Sequence, residues 1–119
     1  MSQIRLRSKI WLEIDGKPLL GSGRVRLLNA IASSGSISSA CQQLGMSYRK
    51  AWAQLQEMEQ LAPFPVLDRC KGGKGGGGAT LTEETIELLN QFAAMTKNIH
   101  HQLDNCASDR IDVSTLESS

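Results

Sequence analysis

A chain of 119 residues with 40% hydrophobic and 21% charged residues has the length of one domain, and it can bury a core without disulfides or a structural metal. It has no apolar run of membrane-spanning length and no basic-then-apolar leader, which argues against a membrane partner and predicts a cytoplasmic protein. The net charge of +1 hides a split: residues 1–80 hold eleven Lys/Arg against five Asp/Glu, residues 81–119 two against seven, separating a face suited to polyanions from an acidic part.

The alternation of Ile4, Leu6, Ile10, Leu12 and Ile14 on one face, with Arg5 and Arg7 opposite, predicts a strand over 4–14. Asp15-Gly16 suits a tight turn and Lys17–Leu20 a short return strand, an edge because Pro18 offers no N–H. Ser22 is a candidate helix cap. Val25, Leu28, Ile31 and Ala32 recur at helical spacing and predict a helix over 23–33, closed by Ser34-Gly35. Ser36 caps a two-turn helix with Ile37, Ala40, Cys41 and Leu44 on its apolar side. After a break at Gly45-Met46, Ser47 caps a third helix with Ala51, Trp52, Leu55 and Met58 inward, ending near Leu61 before Pro63 and Pro65.

Val66–Cys70 and Ala79–Leu81 read as two strands around a loop, residues 71–78, of six glycines and two lysines. Thr82 caps a last helix with Glu83 and Glu84 in its first turn. Its apolar positions, Ile86, Leu89, Phe92, Met95 (or Thr96), Ile99 and Leu103, run to Asp104 and make a natural seam for a second copy of the chain. From Asn105 the periodicity stops, which predicts a disordered tail over 105–119. The fold class is therefore mainly α with small β elements: a winged helix-turn-helix with an N-terminal β-hairpin and a long C-terminal dimerisation helix, residues 1–104 forming one domain and 82–104 its linker helix.

That arrangement fits double-stranded DNA. A helix enters the major groove and its N-terminal side chains reach base edges. Tyr48, Arg49 and Lys50 occupy those positions: Arg49 is suited to a bidentate guanine contact, Lys50 and Tyr48 to phosphate or base, and Gln54, one turn beyond Lys50, to an adenine. Ser47 and the backbone N–H groups at the helix start can hold a phosphate; Ser36 caps the preceding helix and is included among the DNA-facing candidates. Lys71 and Lys74 of the wing can follow the backbone or enter the minor groove. Trp52 is either core and phosphate-packing support or a direct DNA contact.

Other chemistries find little footing. The glycine loop lacks the GxxxxGK[ST] spacing of a nucleotide cradle and lies between strands. His100 and His101 are adjacent and point to different sides of a helix, a poor metal pair. Cys41, Cys70 and Cys106 form no CxxC pair, and Cys41 reads as a core residue. No nucleophile–base arrangement suggests an enzyme, and no cofactor is implied. The competing reading is a protein-interaction adaptor that reuses the winged fold and pairs with a separate sensor protein. Steep weakening with salt marks DNA binding and separates the two.

The runs Gly23–Ile31, Gly35–Ala40, Leu44–Trp52 (LGMSYRKAW), Gly72–Gly77 and Ala79–Thr82 resemble the N-terminal DNA-binding domain of ModE-type, molybdate-responsive transcription regulators, over roughly residues 4–104. The resemblance implies a LysR-like winged helix-turn-helix that dimerises largely through long helices. Two departures stand out. Thr85 replaces a glycine usual in the family. Full-length members also carry C-terminal molybdate-binding domains, and nothing after Asp104 resembles an oxyanion pocket, so DNA binding is implied but molybdate sensing is not carried over, and no small-molecule effector is evident.

Overall fold

The computed structural model describes residues 3–70, 78–105, 110–111 and 113–117. In chain order these form β1 (Ile4–Arg5), β2 (Leu12–Ile14), β3 (Lys17–Leu20), α1 (Ser22–Ser34), α2 (Ile37–Leu44), α3 (Tyr48–Leu61), β4 (Leu67–Cys70), β5 (Gly78–Leu81), α4 (Glu83–Asp104), β6 (Arg110–Ile111) and α5 (Val113–Glu117). The result is a mainly helical, winged helix-turn-helix fold with three antiparallel strand pairs, β1–β6, β2–β3 and β4–β5.

The N-terminal hairpin lies where the turn signal puts it. Asp15 and Gly16 have φ of 51° and 79°, the two positive values that a two-residue hairpin turn with the proper twist requires. Ile14 then pairs with Lys17, and a bulge between Leu12 and Glu13 adjusts the register. The single strand expected over 4–14 is corrected to two short ones. Alternation assigns faces only where a partner strand exists, and residues 6–11 are in no strand. Ile4 and Arg5 pair instead with Ile111 and Arg110. Residues 105–119 thus contain β6 and α5, where the sequence predicts no element.

The core is built by α1, α2 and α3 with β3. Leu20, Leu27, Leu28, Ile31, Leu55 and Met58 are almost completely enclosed. Leu27 joins the core and Ala32 is exposed, because α1 is flanked by both β3 and α2 and so buries a wider arc than one stripe. Caps set the helix starts. The hydroxyls of Ser36, Ser47 and Thr82 accept from the backbone N–H of Ser39, Lys50 and Thr85, as their positions predict. Ser22 does not cap: it is the first helical residue, and Gly21 stands at the cap without a side-chain bond. Gly45 takes φ 65° at the end of α2, a left-handed turn that glycine adopts freely and that lets α3 leave at an angle to α2.

Two anchors hold the wing strands to the helices. The Glu59 carboxylate of α3 accepts from Val66 N and Leu67 N, both at 3.1 Å. On the other side, the Thr82 hydroxyl donates to Pro65 O (2.7 Å) and the Thr85 hydroxyl to Val66 O (2.8 Å). Thr85 is 1% exposed, so the family's usual glycine is replaced here by a buried hydroxyl with a defined partner. The isosteric Thr85→Val substitution is expected to lower stability by about 1 kcal/mol, the net worth of one hydrogen bond, because Val66 O keeps the Thr82 N–H. Urea denaturation measures this; an unchanged midpoint would mean that the hydroxyl contributes nothing.

The apolar line of α4 is also revised. Leu89 and Phe92 are buried in the chain's own core, which removes them from a seam for a second copy. Ile86 and Met95 are both exposed but stand nine residues apart, about two and a half helical turns, and so on opposite flanks. The inward line runs through Thr85, Leu89, Phe92 and Thr96. Beyond Phe92 every α4 residue is exposed except Thr96 and Leu103, which are half-buried. The helix extends out of the body and helps give the molecule its 69 × 28 × 23 Å outline.

Candidate nucleic-acid interface

Helix α3 begins immediately after the Gly45–Ser47 turn. Ala51, Leu55 and Met58 face the core, and the helical repeat of 3.6 residues puts Arg49, Ala53, Gln56 and Gln60 diametrically outward. All four are exposed. Arg49 is therefore the central outward residue of the first turn, with Tyr48 and Lys50, both exposed, on its two flanks. Ala53 and Gln56 were missed in the sequence; the i+4 and i+7 spacing from Arg49 is the signal that finds them.

Local electrostatics make this helix end unusual. The first turn of α3 holds no acidic residue but two cations, at the end where the helix dipole is already positive. Such a placement costs helix stability, roughly 0.3–1 kcal/mol per charge, and an anion held there offsets it. The acidic residues of α3 lie further along and are engaged: Glu57 pairs with Arg24 at 3.0 Å, and Glu59 with the two amides at the start of β4. Arg24, counted by sequence as part of a basic face, is instead structural. Its guanidinium also donates to Pro18 O and Leu19 O, both at 3.0 Å.

The other expected contacts fall out as follows. The Ser47 side chain is exposed and engaged in its cap, 3.1 Å from Lys50 N. Ser36 is half-buried, with its hydroxyl shared between Ser39 N (3.0 Å) and the Ser39 hydroxyl (2.9 Å). Gln54 is corrected: it is half-buried, with its Oε1 enclosed, because five residues from Arg49 carries it round toward the core side. Trp52 is half-buried and packs edge-on against Tyr48, ring centroids 6.5 Å apart. The Arg69 guanidinium of β4, not anticipated from sequence, lies 4.2 Å from the Trp52 ring centroid. Lys71 and Lys74 lie outside the described residues. Cys41 is buried beside the turn, its thiol 3.9 Å from Ser47 O, and burial pushes that thiol's pKa up, so it stays protonated, as a core residue would.

Among the described residues no group of three or more His, Cys, Asp or Glu is placed to hold a metal, and no helix is long and apolar enough to cross a membrane.

Comparison with known proteins decides the family. Residues 23–85, from α1 through the wing to the start of α4, match the family described as bacterial regulatory helix-turn-helix protein, lysR family. The chain belongs to this family. Among similar proteins, the molybdenum-pterin-binding protein MopB of Rhodobacter capsulatus is 41% identical over 80 residues, which is 67% of this chain and 30% of that protein. The DNA-binding transcriptional dual regulator ModE of Escherichia coli K12 is 36% identical over 98 residues, 82% of this chain and 37% of the regulator. The molybdenum transport protein ModE of Azotobacter vinelandii is 33% identical over 112 residues, 94% of this chain and 41% of that protein. The chain thus spans well under half the length of these relatives. The match over 23–85 takes in both helices of the lysR-type motif, the Gly45 turn and both wing strands.

Proposed function

We propose that this chain is a sequence-specific DNA-binding transcription regulator that works as a homodimer on a pseudo-palindromic site. The observation that carries the reading is the start of α3: Arg49 and Lys50 stand exposed at the positive end of a helix, beside a cap and a turn belonging to a lysR-type helix-turn-helix. A duplex phosphate offsets that charge, and a guanine edge offers Arg49 a bidentate partner. Ala53 and Gln56 continue the face that enters the major groove. The wing, with Lys71 and Lys74, follows the backbone or the minor groove beside it. A relative of this chain is itself named a DNA-binding regulator.

Selection of bound sequences from random duplexes tests this directly. We expect one enriched motif with two related half-sites, and binding that weakens steeply with salt. Retention of random duplex without enrichment, or binding indifferent to salt, would favour a protein-interaction adaptor instead.

Dimerisation is supported by α4. Its outer half carries Met95 and Ile99, about half exposed, and Leu103 along one flank, on a helix that leaves the body of the molecule. A second copy that packs along this flank removes that apolar surface from water. Ile99→Glu is expected to shift the protein to monomer in sedimentation equilibrium and to leave only weak half-site binding. If the variant stays dimeric, this flank is not the seam.

A further inference from the structure

We propose that Arg69, on the first wing strand, is a DNA-backbone anchor held in place by Trp52: its guanidinium binds a phosphate next to the base pairs read by Arg49. This rests on the DNA-binding reading above. Leu67 and Arg69 share one face of β4, and Leu67 is buried while Arg69 is exposed. The inward face of the strand therefore runs out of core at Arg69 and emerges over α3. There the guanidinium lies 4.2 Å from the centroid of the Trp52 ring, and the ring's neighbour in turn is Tyr48 in the first turn of α3. Trp52 is one helical turn from Tyr48 and less than one from Arg49, so the stacked guanidinium sits beside the outward face of α3.

Stacking on an aromatic ring fixes the plane of an arginine while leaving its N–H donors free. Among the described residues no carboxylate lies within ion-pair distance of Arg69; Arg24, by contrast, is consumed by Glu57. An exposed, oriented and unpaired guanidinium between a reading helix and a wing has the fork geometry that phosphate oxygens accept. Phosphate contacts of this kind set register and affinity and carry no base information. Trp52 thereby acquires a positioning role rather than a base contact.

The test uses the full chain, its selected duplex and a random-sequence duplex, with affinity measured over a series of salt concentrations. Arg69→Gln is expected to weaken binding to both duplexes by a similar factor, about tenfold, and to reduce the salt slope by about 0.9. Arg69→Lys should keep the slope and recover only part of the affinity, since a lysine stacks less well and lacks the fork. A duplex with one neutral methylphosphonate at the contacted linkage should bind the native chain more weakly and bind Arg69→Gln no worse than unmodified duplex. If Arg69→Gln changes neither affinity nor slope while Arg49→Ala abolishes selectivity, the anchor is refuted and the DNA-binding reading stands. If neither substitution alters binding, that reading falls as well. A loss confined to the selected duplex would make Arg69 a base contact and overturn the phosphate assignment.

Discussion

Arg49→Ala is expected to lower affinity for the selected duplex roughly 10- to 100-fold, corresponding to about 1–3 kcal/mol for a good bidentate contact, and to relax selectivity at one base position in each half-site. The direction follows from where Arg49 stands. It is the central outward residue of the first turn of α3, flanked by Tyr48 and Lys50, and is exposed. Its side chain packs against nothing in the core, so the folded state should not suffer. Removal of a cation from the positive end of a helix even relieves a small unfavourable term, and the thermal midpoint should stay level or rise slightly. Lys50→Ala should behave differently. A lysine on phosphate acts as a point charge, so the loss should be smaller, similar on all sequences, and accompanied by a lower salt slope. Fluorescence anisotropy on selected and scrambled duplexes distinguishes the two patterns. Unchanged affinity of the Arg49→Ala, Lys50→Ala double variant for its selected site would remove α3 as the reading element.

Leu55→Ala is expected to destabilise the fold by about 2–5 kcal/mol, a large share of the roughly 5–15 kcal/mol available to a domain of this kind. Leu55 is completely enclosed and lies on the inward face of α3 together with Ala51 and Met58. Small neighbours such as Ala40 and Ala51, both fully buried, let α2 and α3 approach closely, and closely packed helices cannot easily collapse into a new cavity. Urea unfolding followed by circular dichroism measures the loss. Leu55→Met, which conserves volume, should cost under about 1.5 kcal/mol. Equal stability of the alanine and native proteins would mean that α3 is not locked by this residue. DNA binding should fail in Leu55→Ala only as the protein unfolds, unlike Arg49→Ala, where it fails in a folded protein.

Much of this molecule was legible along the chain because its punctuation is local. Ser36, Ser47 and Thr82 cap helices through a bond that spans three residues, and Gly45 and Asp15-Gly16 mark turns through their own backbone angles. Such signals act within one turn of chain, so the caps, breaks and helix lengths, and with them the exposed Arg49 and Lys50, followed from residue order. The basic residues could be counted in the same way, but counting could not separate Arg24, consumed by Glu57 and two carbonyls, from Arg69, laid over Trp52.

What only the tertiary structure decided is which surfaces meet. The apolar positions of α4 were visible, yet their division between the core (Leu89, Phe92) and an exposed flank (Met95, Ile99) depends on where α4 docks, as does the burial of Thr85 against Val66 O. The partner of Ile4 and Arg5 is Arg110–Ile111, about a hundred residues away, beyond the reach of any short-range pattern. Gln54 turned partly inward for a related reason: a helix repeats every 3.6 residues, and small angular differences decide between groove and core once the packing axis is set. The sequence by itself determined the elements and the charged start of α3. Packing determined which arginine, which threonine and which side of α4 remained available, because exposure is a property of the assembled chain rather than of any residue in it.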